Sequence, residues 1–268
     1  MGTDDGDGGG GARRALVTAA SSGLGGAVAR RLVAEGYSTT IVARDSGKLS
    51  EAHKQLTTVY PGADVRWVSL DLEDPEAVDS FAAEQLSGSE APHILVYSTG
   101  GPPLYPPGEE VEADLVRHLQ SHSLSLMSMT RRLAPQMQER GWGRIVTIMS
   151  RALFAPRTDN ILSSAVRLPA WAMLKTYSLS PRYSNVTFNA VLPGLFDTER
   201  FRDVCEGLAA ESGRTVDTVR AEFLAAVPAG RVGDPDELAA LCLFLVSDAA
   251  GYLNGERITI DGGSTGAL

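Results

Sequence analysis

The chain has 268 residues, 43% of them hydrophobic and 21% charged, with a formal net charge of −9. That length fits one large α/β domain with its own core, and the acidic balance argues against a nucleic acid or an anionic membrane as partner. The two cysteines, Cys205 and Cys242, stand in no Cys-x-x-Cys or Cys/His pattern, so neither a metal site nor a disulfide framework is expected.

In chain order, residues 1–11 are Gly- and Asp-rich, carry no apolar side chain after Met1, and lack the basic-then-apolar order of a signal peptide. They read as a disordered tail. With no apolar run near the ~18 residues of a membrane span, the protein is expected to be cytoplasmic. Residues 15–17 form a short apolar strand running into Thr18-Ala-Ala-Ser-Ser-Gly-Leu-Gly25. Val28, Leu32 and Val33 then recur at helical spacing until Gly36. Strands are predicted at 39–43, 65–70, 94–97, 144–148, 186–191 and 257–260. Helices are predicted at 49–59, 75–86, about 111–140, about 163–179 and 234–247. Asp74 caps the helix at 75 with a Pro in its first turn. No repeat and no linker divides the chain, so residues 12–268 form a single domain. Strand and helix alternate throughout, which gives an α/β fold with a doubly wound parallel sheet of Rossmann type. Ligands of such sheets bind at the carboxyl ends of the strands, and every motif below falls at such an end.

The turn from Thr18 to Gly25 suits a dinucleotide. Glycine there lets the backbone approach a pyrophosphate, and the helix that follows offers free N–H groups and a positive dipole end. A plain strand–helix turn would also explain it. The segment resembles the Thr-Gly-x-x-x-Gly-x-Gly turn of the short-chain dehydrogenase/reductase superfamily. The likeness continues through Asn189-Ala-Val-Leu-Pro-Gly194 with Asp197-Thr198, Gly230-Arg-Val-Gly-Asp-Pro-Asp-Glu237 and Gly255-Glu-Arg-Ile-Thr-Ile-Asp-Gly-Gly263. The nearest look is to β-ketoacyl-carrier-protein-reductase-like members, some of which read Gly-Gly-Pro after the fourth strand and Ser-x-x-x-Arg in the following active-site helix.

The resemblance implies a cofactor site made of Thr18, Ser21, Ser22, Gly23, Leu24, Gly25, Arg44, Asp71, Leu72, Ser98, Thr99, Gly100, Arg167, Pro193, Gly194, Phe196 and Thr198. Two positions depart from it: the first motif Gly is Ala19, and the usual Asn-Asn-Ala-Gly is Tyr97-Ser-Thr-Gly100. Arg44 after the second strand favours NADP over NAD, since an Arg pairs with a 2′-phosphate where an acid would hold a 2′-hydroxyl. Asp45 beside it complicates that preference.

The resemblance also implies four catalytic positions, here His122, Ser150, Ser163 and Arg167. Ser163 lies thirteen residues after Ser150, where members of the superfamily carry Tyr-x-x-x-Lys. Only Ser150 is kept. A Ser hydroxyl is a far weaker acid than a phenol, and Arg does not relay a proton as Lys does. His122 could exchange one, or could merely fill the space of an Asn. Tyr97 and Tyr105 are expected at the mouth of the cleft. Lys175 lies two to three helical turns past Arg167, too far to replace it. His53, His93 and His118 are expected at the surface or in packing. Residues 197–228 match the superfamily's substrate lid, with Phe201, Leu208, Val219 and Phe223 either lining a pocket or packing on the body.

The first reading is an NADP-dependent oxidoreductase acting on a carbonyl or alcohol of a small molecule, as a homo-oligomer, tetramer or dimer by resemblance. Two others stay open: non-redox chemistry on the same scaffold, such as elimination, dehydration, isomerisation or cyclisation, and a nucleotide-binding subunit without catalysis.

Overall fold

The computed structural model describes residues 13–266 apart from 157 and 159; the expected tail at 1–11 lies outside the described residues. Seven parallel strands form one sheet in the order β3-β2-β1-β4-β5-β6-β7. They are β1 (Arg14–Thr18), β2 (Ser38–Ala43), β3 (Val65–Ser69), β4 (Ile94–Tyr97), β5 (Gly143–Ile148), β6 (Val186–Pro193) and β7 (Arg257–Ile260). The order reverses between β1 and β4, which pair at Ala15↔Ile94, Leu16↔Leu95 and Val17↔Val96. That reversal opens a crevice at the carboxyl ends of these strands.

One face carries α1 (Gly23–Ala34), α2 (Ser46–Val59) and α10 (Pro235–Val246); their buried residues pack with Val17, Ile41, Val96 and Val146. The other carries α3 (Pro75–Gln85), α5 (Ser125–Glu139) and α7 (Leu168–Ser178), packed on Leu16, Val42, Leu95, Ile145 and Phe188. Strands buried on both faces must be apolar on both faces, which is why 94–97 and 144–148 read as continuous runs rather than alternations.

Two predicted helices are broken in the structure, both beside the site. The helix expected at 111–140 is α4 (Glu112–Leu119), then a π-helical turn at Gln120–Leu124, then α5. Such turns insert one extra residue per turn and redirect side chains. The helix expected at 163–179 is split into α6 (Ile161–Ala165) and α7, with Val166 and Arg167 between them. Pro169, in the first turn of α7, explains the break. Its ring would strike the carbonyl four residues back and it has no N–H to donate there.

The segment 197–228 holds α8 (Glu199–Ser212) and α9 (Val216–Ala225). Phe201, Cys205, Ala209 and Val219 form a small core of their own, joined by Leu208 and Phe223. The Phe201 and Phe223 rings lie 5.6 Å apart, edge to face. These side chains pack on one another.

Candidate active site

The crevice starts at the turn after β1. Thr18 is wholly buried; its hydroxyl donates to the Ser98 carbonyl at 2.6 Å and accepts from the Ser98 N–H at 2.8 Å. Thr18 therefore ties the ends of β1 and β4 together, and its side chain faces Ser98. Ala19 has φ 49°, the one non-glycine among the described residues in the left-handed region. Gly23 follows at φ 59°. A Cβ on Gly25 would fall 2.4 Å from the Ala19 carbonyl oxygen, so α1 can approach β1 this closely only with glycine there. Ser22 caps α1 by position but makes no side-chain cap bond, leaving the first-turn N–H groups of Gly23, Leu24 and Gly25 directed at the crevice.

Across the crevice, β6 ends at Pro193. A Cβ on Gly194 would meet Asp261 at 2.6 Å. Phe196 is buried in the core under Gly233, so its side chain is structural. Thr198 caps α8 through Phe201 N–H, and its methyl lies 3.9 Å from where a Gly23 Cβ would be. The segment 197–228 therefore begins directly opposite the Gly-rich turn. Arg44 is exposed at the end of β2, within 3.9 Å of Asp71. Asp45 accepts from Lys48 N–H as the N-cap of α2. One oxygen of this acid is thus engaged by the helix end. It also starts α2 three residues before the predicted 49. Asp71 accepts from Glu73 N–H, and the Leu72 carbonyl accepts from Ser125 Oγ. Thr99 is half-buried and Gly100 exposed after β4.

At the chemical end, Ser163 and Arg167 are 4% and 7% exposed. Arg167 Nη1 donates to both the Ser163 carbonyl at 2.9 Å and the Ser163 hydroxyl at 2.8 Å. Its Nε is buried without a partner. Burial, then the nearby charge of Arg200, pushes Arg167 down to about 10. Ser150 caps the 3₁₀ turn after β5, its hydroxyl accepting from Ala152 N–H at 3.2 Å. Ser164 Oγ donates to the Ala152 carbonyl at 2.6 Å, which holds α6 against that turn.

The π-helical turn faces the same point. Ser123 Oγ donates to the Val166 carbonyl at 2.7 Å, at the break between α6 and α7. His122 is 4% exposed and donates Nδ1–H to the His118 carbonyl at 2.9 Å, which leaves Nε2 as the lone-pair nitrogen, buried and unpartnered. Burial, and after it Arg167, holds His122 well below its usual value, so it is neutral near pH 7.

One expectation is corrected here. Tyr97 does not stand at the mouth: it is 1% exposed and its hydroxyl donates to the Ser121 carbonyl, with burial raising its pKa. Of the two places expected for His118, surface or packing, it takes the second: it is buried with its ring 5.7 Å from that of His122. Its i,i+4 spacing from His122 on the predicted helix was the signal that could have found this contact. Tyr105 donates to Asp114 at 2.7 Å, and Lys175 donates to the Gly255 carbonyl at 2.9 Å. His53 and His93 bond to backbone atoms.

Among known proteins, the family model described as enoyl-(acyl carrier protein) reductase matches residues 18–265. The chain belongs to the short-chain dehydrogenase/reductase superfamily. The 3-oxoacyl-(acyl-carrier-protein) reductase of Escherichia coli is 28% identical over 252 residues, 93% of this chain and 96% of that one. L-sorbose reductase from Gluconobacter frateurii, solved with NADPH and L-sorbose, is 26% identical with a TM-score of 0.89, covering 96% of this chain and 98% of that one. An NADPH-bound short-chain oxidoreductase from Pseudomonas aeruginosa, described as containing an atypical catalytic center, is 26% identical with a TM-score of 0.83 at the same coverages. Among the described residues no helix is long and apolar enough to cross a membrane, and no cluster of ligating side chains could hold a metal ion.

Proposed function

We propose that this chain is an NADP-dependent oxidoreductase that reduces a carbonyl of a small molecule, with Ser163 and Arg167 replacing the superfamily's Tyr and Lys. The observation that carries the reading is the Arg167–Ser163 bond. Because Arg167 donates to Ser163 Oγ, the hydroxyl's own proton is free to point at a substrate oxygen. A buried guanidinium behind that hydroxyl strengthens it as a donor to a developing alkoxide.

The crevice fits a dinucleotide. Free N–H groups at the start of α1 and the close approach at Gly25 suit a pyrophosphate. Arg44, with Asp45 occupied as a helix cap, suits a 2′-phosphate. Bound NADPH would supply the hydride. Ser150 and Ser163 would polarise the carbonyl, and Arg167 would hold the negative charge that forms on its oxygen. Neutral His122, its Nε2 buried beside Arg167, would take part in the proton return only if the bound substrate or cofactor opens a path to that nitrogen, which His122→Asn tests through the pH–rate profile. Residues 197–228, rooted at Thr198 opposite Gly23, would close over the substrate. Two relatives seen with NADPH, one described as having an atypical catalytic center, support the reading. The exposed edge of β7 and exposed Val116, Leu124 and Met127 along α4–α5 support a homo-oligomer.

Titration of NADPH and NADH by calorimetry tests the cofactor, with Arg44→Asp reversing the preference. Ser150→Ala and Ser163→Ala should each lower turnover about 10²–10³-fold without weakening NADPH binding. Equal binding of both cofactors, or turnover within a few-fold of wild type in both Ser variants, would refute the assignment.

A further inference from the structure

α6 is five residues long and is cut off from α7 at Val166 and Arg167. So short a helix does not hold itself in water, and its surroundings decide where Ser163 stands. Its C-terminal end is fixed by Ser123 Oγ on the Val166 carbonyl and by Arg167 Nη1 on the Ser163 carbonyl. Its flank is fixed by Ser164 Oγ on the Ala152 carbonyl. At its N-terminal end Asn160 Oδ1 accepts from Ser163 N–H at 3.2 Å, a bond local to the turn. Ile161 N–H then donates to the Tyr105 carbonyl at 3.1 Å, which ties this end to the loop after β4. That loop has no helix or strand of its own from residue 98 to 111. Tyr105 is held in it by its side chain: the hydroxyl donates to Asp114 Oδ2 in α4 at 2.7 Å. The other oxygen of Asp114 accepts from Arg117 Nη2, and Arg117 Nε lies 3.4 Å from Glu73, just ahead of α3. The Asp114 side chain is only 17% exposed, so water competes poorly for it. A polar chain thus runs from α3 through α4 and Tyr105 to the helix that carries Ser163. Arg200 reaches the same loop three residues earlier, at the Pro102 carbonyl, and keeps it attached in a variant without the Tyr105 hydroxyl.

We propose that Tyr105 is a positioning residue for the reaction. Its hydroxyl, anchored on Asp114, fixes the carbonyl that holds Ile161 and so sets Ser163 against Ser150 and the substrate oxygen. A carboxylate acceptor makes the anchor stronger than a neutral one. Misplacing a reacting group by about 1 Å costs on the order of 10²-fold in rate. With its proton on Asp114, Tyr105 acts through Ile161 and not as an acid. This rests on the reading of Ser163 given above.

The test combines hydrogen–deuterium exchange of the full chain, read on peptides covering 160–166, with NADPH turnover on ethyl acetoacetate and L-sorbose. The variants are Tyr105→Phe, Asp114→Ala, the two together, and Asp114→Asn, which keeps an oxygen for the Tyr105 hydroxyl. Tyr105→Phe and Asp114→Ala should each speed exchange at 161–165 about ten-fold and lower kcat about ten-fold, with the KM for NADPH within two-fold. The double variant should be no worse than either single one, and Asp114→Asn should stay near wild type. Peptides from β5 and α10 should exchange as in wild type, which shows the fold intact. Unchanged exchange at 161–165 in Tyr105→Phe, additive losses in the double variant, or faster exchange with kcat unchanged would each overturn the proposal. A wild type that reduces neither probe would fail the oxidoreductase reading instead, and the exchange data would still support or overturn the tether on their own.

Discussion

Ala19 sits where superfamily members carry glycine, and it adopts a backbone conformation that a Cβ disfavours by about 1–2 kcal/mol. Ala19→Gly should therefore raise the urea midpoint, by a net ~1 kcal/mol once the greater freedom of glycine in the unfolded chain is counted. An unchanged or lower midpoint would show that the turn relaxes around alanine. Tyr97 gives the opposite lesson. It is the nearest phenol along the chain to Gly100, yet its hydroxyl is engaged in the core. Tyr97→Phe would leave the Ser121 carbonyl without that donor and should cost ~1–3 kcal/mol of stability. Turnover should stay within a few-fold of wild type. A collapse of turnover with an intact fold would make Tyr97 the proton source and displace Ser163 from that role. Arg44 and Asp45 show what sequence can and cannot separate. Both were visible as candidates, and only the backbone direction at the start of α2 shows that the acid is a helix cap.

At the level of elements, the strands were legible because apolar runs bounded by Gly and Pro leave little choice of period. The two long helices on the site were not. The 3.6-residue pattern of 111–140 continues through Gln120–Leu124, and a π-helical turn changes the phase too little for a sequence pattern to show. The signal that could have been used for the other break is Pro169, two residues after Arg167. These interruptions set the electrostatics of the site. His118 and His122 meet at the π-helical turn, and both are pushed below their ordinary value, chiefly by burial. His93 is likewise lowered to about 4, by burial and then Arg14. Below pH 6.5 the unfolded chain binds protons at these imidazoles that the native protein refuses, so native stability must fall as pH drops. For His93 the loss runs from about 6.5 down to about 4. Urea midpoints should decline from pH 7.5 through 6.0 to 5.0, and His122→Asn should flatten the slope. A midpoint that is flat or rises toward pH 5 would contradict the burial of these neutral rings.

Across the whole molecule, the same construction that makes the fold easy to read makes the chemistry hard to read. A parallel sheet whose central strands are buried on both faces dictates an apolar, repetitive sequence and places every strand-to-helix loop at one end. The proposed chemistry rests on a handful of side chains, His122, Ser150, Ser163 and Arg167, drawn from three separate segments. Their spacing in sequence says which segment they come from, whereas the pairing of Arg167 with Ser163 is seen only at the break between α6 and α7. Hydride transfer is the claim on which the rest depends. The most direct measurement is incubation of the wild-type protein with NADPH deuterated separately on each face of C4, together with a panel of small ketones, followed by mass spectrometry of the products. The account predicts one deuterium in the alcohol product from one of the two labelled cofactors and none from the other. Conversion of substrate with no label incorporated and the cofactor unchanged would contradict it, and would identify this Ser–Arg site as one for non-redox chemistry.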